Sequence, residues 1–155
     1  MDTVRIVWGA GTGPTELAAY DAALADANVH EYNLVHVSSV IPADATVEVV
    51  GTAPDLGPAG NQLTVVEASS TAPGPDHIAA GLGWATGDDA GIIYEADGED
   101  ETAVRETLKT GLDAGCAIRD RHFTDQRFQT MTTTVEPGTF AAVAVLAAYG
   151  DSSPI

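Results

Sequence analysis

Lysine and cysteine are nearly missing from this chain of 155 residues: Lys109 and Cys116 are the only ones of their kind. A single cysteine excludes an internal disulfide, which agrees with a cytoplasmic setting. No stretch approaches the ~20 consecutive apolar residues of a membrane-spanning helix. No basic region followed by a long apolar one opens the chain, so neither a membrane partner nor a secretory signal is expected. Cations are scarce altogether, six Lys and Arg against 23 acidic residues. Phosphate binding needs clustered basic side chains, so duplex nucleic acid is a poor partner. His30, His77 and His122 have no ligand-like spacing, and no metal site is expected.

What is present is a formal charge of −17 spread along the chain. An acidic, lysine-poor, alanine-rich surface resembles proteins of salt-loving archaea, where concentrated salt screens self-repulsion. Apolar residues make up 45%, enough for one packed interior and one domain.

Val4–Trp8 reads as a buried strand, and Gly9-Ala10-Gly11-Thr12-Gly13-Pro14 as a strand-to-helix turn. Thr15 caps a helix running to about Ala27. The glycine run invites a dinucleotide-binding reading, but its third glycine comes one place early. No carboxylate ends the second strand either. Strands are predicted over Tyr32–Val37, Thr46–Val50, Leu63–Ala68 and Gly91–Glu95, with a loop over Gly51–Gly60 and a turn at Thr71–Pro75. Asp76 is expected to cap a helix through about Trp84, and Glu101–Ala117 to form an amphipathic helix. Gln126–Val135 and Thr139–Tyr149 read as a closing hairpin, after which the chain frays. Strands alternating with helices, then a closing hairpin, point to a layered α/β or α+β architecture. The fold expected is a single α+β domain, a layered αββα sandwich with mixed and antiparallel sheets.

Three serine pairs occur, at Ser38-Ser39, Ser69-Ser70 and Ser152-Ser153. The first stands apart through its setting, Asn33-Leu34-Val35-His36-Val37-Ser38-Ser39-Val40-Ile41-Pro42. This run resembles the self-cleavage segment of pyruvoyl-dependent arginine decarboxylases, with an Asn six residues before the second serine and Ser-Ser-apolar-apolar-Pro at its end. Thr15–Leu24 resembles the family's helix, with Asp21 at the place of its substrate-facing aspartate. Gly91-Ile92-Ile93-Tyr94-Glu95 resembles the strand that ends in its catalytic glutamate, and Thr134-Val135-Glu136 and Phe140–Ala148 resemble its ending. Ala27-Asn28-Val29-His30-Glu31 departs from the glycine-containing loop expected beside the substrate pocket.

The resemblance implies a cut between Ser38 and Ser39 into residues 1–38 and 39–155, leaving a covalent pyruvoyl cofactor at Ser39. It implies decarboxylation of arginine to agmatine, with polyamine biosynthesis as the setting, in a trimer whose sites are shared between neighbours. The chemistry is open to these residues. A serine hydroxyl can attack the peptide carbonyl before it, a slow step on a planar trans amide unless strain or oxyanion donors assist. The resemblance implies that Asn33 polarises the Ser38 carbonyl, that Glu95 returns a proton to the substrate, and that Asp21 pairs with a guanidinium. A self-processed relative that acts on another cationic amino acid, or that has lost turnover, remains one alternative, and a non-enzymatic nucleotide- or ligand-binding domain built on Gly9–Gly13 another. His36 either tunes processing or simply sits on the polar face of its strand. The lysine count agrees with a built-in carbonyl, because pyridoxal phosphate needs a lysine amine to hold it.

Overall fold

The structure, a computed structural model, describes residues 3–155. Its strands are β1 (Thr3–Gly13), β2 (Asn33–His36), β3 (Val40–Ile41), β4 (Thr46–Gly51), β5 (Gln62–Pro73), β6 (Asp76–Gly87), β7 (Gly91–Gly98), β8 (Phe123–Val135) and β9 (Phe140–Tyr149). The helices are α1 (Glu16–Asp26) and α2 (Glu101–Ala117). A five-stranded sheet has the order β2-β5-β9-β1-β4, and a four-stranded sheet the order β3-β7-β6-β8. The first sheet is mixed, since β1–β4 and β2–β5 run parallel, while the second is antiparallel throughout.

Side-chain alternation explains the layering. On β5, Leu63 and Val65 face α1 while Val66 and Ala68 face the second sheet. The core between the sheets is built from Ile6, Val66, Leu82, Trp84, Ile93, Val143 and Val145. One outer layer packs α1 on the first sheet through Ala19, Ala23 and Leu24. The other packs α2 on the second through Val104, Leu108 and Leu112. This is the expected αββα sandwich.

The expected closing hairpin is not one, because β8 pairs with β6 in the four-stranded sheet and β9 with β1 and β5 in the five-stranded one. The turn expected at Thr71–Pro75 is shorter, since β5 runs on through Pro73. Two further local expectations are overturned. The glycine run is strand, not turn: β1 continues through Gly13 in unbroken register with β9. A Cβ on Gly9 would overlap the Ala23 carbonyl, and one on Gly11 would meet the backbone of Ala22 and Ala23. Alternate glycines thus let the alanine-rich helix lie directly on the strand, and a methyl inserted there costs ~1–3 kcal/mol. No open phosphate-binding loop exists at Gly9–Gly13, which removes the basis of the ligand-binding alternative. The second correction is Asp76–Trp84, which forms the central strand β6 rather than a helix. Ile78–Ala85 is buried along its whole length, between the first sheet and α2. A run buried on both faces shows no period from which strand and helix can be told apart. Gly81 and Gly83 make room there for Val104 and Leu112 of α2.

The chain end does not fray at once, because Ser152 donates its N–H to Leu56 O and Ser153 pairs with Gln62. Just after α1, Asn28 adopts φ 62°, the left-handed conformation otherwise left to glycine, and its amide donates to Ala53 O at 2.9 Å.

Candidate active site at the sheet crossing

The serine pair lies where the chain leaves one sheet for the other. The last bond to the first sheet is Val37 N–H to Val65 O at 2.9 Å, and the first to the second sheet is Ile93 N–H to Ser39 O at 2.8 Å. Between them the Val40 N–H donates to the Ser38 carbonyl at 3.0 Å, closing a three-residue turn centred on Ser39. The carbonyl that the Ser39 hydroxyl would attack is therefore already polarised by a backbone donor two residues on. Ser38 is exposed and Ser39 half-buried. Tyr149, buried on β9, donates its hydroxyl to Val40 O at 3.0 Å and anchors the far side of the turn. Burial pushes its pKa up to about 12, which favours the protonated hydroxyl that makes this bond.

Glu95 lies on β7, two residues beyond Ile93 and on the same face as that residue. The residue is exposed, yet the protein around its carboxyl holds the pKa above the ordinary glutamate value, with the nearby His36 pulling it partly back. Register and electrostatics thus bring Ser38, Ser39, His36 and Glu95 into one neighbourhood.

Asn33 and Asp21 do not join it within one chain. Asn33 opens β2, five residues before Ser38 and roughly 16 Å away along an extended strand. Its amide donates to Gly60 O at 2.9 Å, so the donor on the Ser38 carbonyl in this chain is the Val40 N–H instead. Asp21 is exposed on α1, where with Thr15, Leu17 and Ala18 it lines an open cavity of about 470 Å³. Leu17 in that cavity is 74% exposed.

Three contributors escaped sequence reasoning. The Val40 N–H and the Tyr149 hydroxyl carry no sequence signature. Glu67 does: it interrupts the Leu63–Ala68 strand on the face of Leu63 and Val65, where a charge is out of place. Its side chain, 6% exposed, meets His36 at 2.7 Å and accepts the Tyr20 hydroxyl at 2.6 Å. The sole lysine is remote from all of this, exposed on α2 and paired with Asp113 at 2.8 Å.

At this crossing a serine follows a carbonyl held by a backbone donor, with a carboxyl of raised pKa nearby, an arrangement suited to a lyase that builds its electron sink from its own backbone. Comparison with known proteins agrees and narrows the class. The family model described as pyruvoyl-dependent arginine decarboxylase matches residues 3–154. A pyruvoyl-dependent arginine decarboxylase of Halobacterium salinarum is 57% identical over 159 aligned residues, spanning 100% of this chain and 98% of that protein. Those of Pyrococcus furiosus and Methanopyrus kandleri are 32% and 30% identical, covering 90% and 94% of this chain and 90% and 95% of their own lengths. This chain belongs to the pyruvoyl-dependent arginine decarboxylase family. It is accordingly a carboxy-lyase whose cofactor is a covalent pyruvoyl group, and its closely similar relative comes from a halophile.

Proposed function

We propose that this chain cuts itself between Ser38 and Ser39 and decarboxylates L-arginine to agmatine and CO₂ with the keto group left on Ser39. The observation that carries this reading is the Val40 N–H bond to the Ser38 carbonyl at the sheet crossing. The Ser39 Oγ adds to the Ser38 carbonyl carbon, the Ser38–Ser39 C–N bond breaks, and the freed nitrogen takes the hydroxyl proton. Loss of the Ser39 Cα proton then expels Ser38 as a carboxylate, and water replaces the nitrogen, which leaves as ammonia. Residues 1–38 and 39–155 stay together, because β2 remains hydrogen-bonded to β5 across the cut.

The keto group supplies an electron sink for the pair released as CO₂ departs. The protein does the rest. Glu95, whose raised pKa keeps its proton to higher pH than an ordinary glutamic acid, returns a proton to the substrate carbon. Asp21 receives the guanidinium through paired N–H···O contacts. Asn33 and Asp21 reach the serine centre from a neighbouring copy in a trimer. Val35, Val37 and Val40 on the β2–β3 edge, and Val49 and Val50 on the opposite edge strand β4, are exposed. Unlike patches on opposite edges suit a heterologous contact that closes a ring. No helix among the described residues is long and apolar enough to cross a membrane, and the reading places the enzyme in the cytoplasm. The test is to incubate protein purified in concentrated salt with carboxyl-labelled arginine. Released CO₂, lost after borohydride reduction of the keto group, is expected; no release from fully cut protein overturns arginine as substrate.

A further inference from the structure

The chemistry above leaves one buried acid unused. Glu67 stands in the layer under α1, and its two oxygens accept the Tyr20 hydroxyl at 2.8 and 2.6 Å. His36 Nε2 lies 2.7 Å from Oε1, and because a carboxylate only accepts, the ring donates. An ion in an apolar layer is poor evidence of stabilisation and calls for another role. Three elements meet at this carboxylate. Helix α1 brings Tyr20, the residue before Asp21; β5 brings Glu67; β2 brings His36, two residues before Ser38. The charged or titratable groups facing His36 are Glu67 from β5, Tyr20 from α1 behind it, and Glu95 from β7. The backbone cut falls between His36 and Glu67, so what is one folded chain before processing becomes a contact between two chains after it.

We propose that Glu67 is a positioning residue that ties the helix carrying Asp21 to the strand ending in Ser38-Ser39. Its strand arm, through His36, holds the turn for self-cleavage; its helix arm, through Tyr20, holds the substrate side. The inference rests on the roles given above to Ser39 and Asp21. Three variants separate the arms. E67Q keeps the volume and an acceptor for Tyr20 but turns an amide N–H₂ toward a ring nitrogen that donates. H36Q alters a side chain that is 56% exposed, and Y20F removes one hydroxyl. In intact-mass time courses H36Q and E67Q should cut roughly tenfold more slowly, the loss of one charge-assisted hydrogen bond. Y20F should cut at the wild-type rate yet raise KM for arginine roughly tenfold, with kcat per borohydride-trapped keto group unchanged. A purely structural role would instead lower the folded fraction by circular dichroism and leave both rates per folded site alone, which overturns the proposal. So does wild-type cutting speed in all three variants. A wild-type chain that never cuts would bring down the functional reading itself, whereas a wild type that cuts beside indifferent variants brings down this inference alone.

Discussion

The same dipeptide occurs in two very different places in this molecule. Ser69-Ser70 lies in the middle of β5, matched to Ala144 and Val143 of β9, its backbone held in a continuous antiparallel ladder. Ser38-Ser39 lies between two sheets, with its carbonyl turned back onto the Val40 N–H. In the ladder the backbone of both serines is held extended in register with β9 rather than folded into a turn of its own. At the crossing the carbonyl, the next hydroxyl and the polarising donor all belong to one tight turn. On the proposed reading, reactivity is set by where the backbone is released from pairing, not by the serine pair alone.

The sharpest way to break the comparison is S39A, which should abolish the cut completely while S70A cuts normally, both read by mass. Next in size, E95Q should cut normally but lose decarboxylation by roughly 10²-fold or more, the usual worth of a positioned acid. In the unsubstituted enzyme kcat should fall as pH rises through the elevated Glu95 pKa, and a pH profile that shows no such alkaline limb would contradict the assignment. V40P, which removes the donor on the Ser38 carbonyl and also restrains Ser39, should slow cutting by roughly 10²-fold, whereas V40A keeps the N–H and should cut at close to the wild-type rate. Smallest of all, Y149F loses one neutral hydrogen bond to the turn, worth ~1 kcal/mol, and should slow cutting by about fivefold.

Much of this was legible in the chain itself, and the rest was hidden for identifiable reasons. The layered α+β class followed from strands alternating with helices, although one expected helix is strand β6 and the expected closing hairpin is divided between the two sheets. Ser38, Ser39 and Glu95 followed from two local runs that resemble the family's. Asn33 and Asp21 were equally legible as residues, but the single chain holds both away from the serines, Asn33 against Gly60. Sequence spacing does not reveal how far from the serines the fold leaves each side chain. Gly9–Gly13 misled because glycine that relieves a helix contact looks the same in sequence as glycine that makes a turn. Asp76–Trp84 misled because burial on both faces erases the period. Glu67 was visible as a charge at an inward strand position, and only the fold reveals Tyr20 and His36 on either side of it.

All of the chemistry turns on whether the backbone opens at the sheet crossing. The direct measurement is an intact-mass spectrum of the folded wild-type protein kept in concentrated salt. Two species spanning residues 1–38 and 39–155, the larger beginning with a keto-acyl group in place of serine, are the predicted result. A single mass for the uncut 155-residue chain, persisting in folded protein, would contradict it.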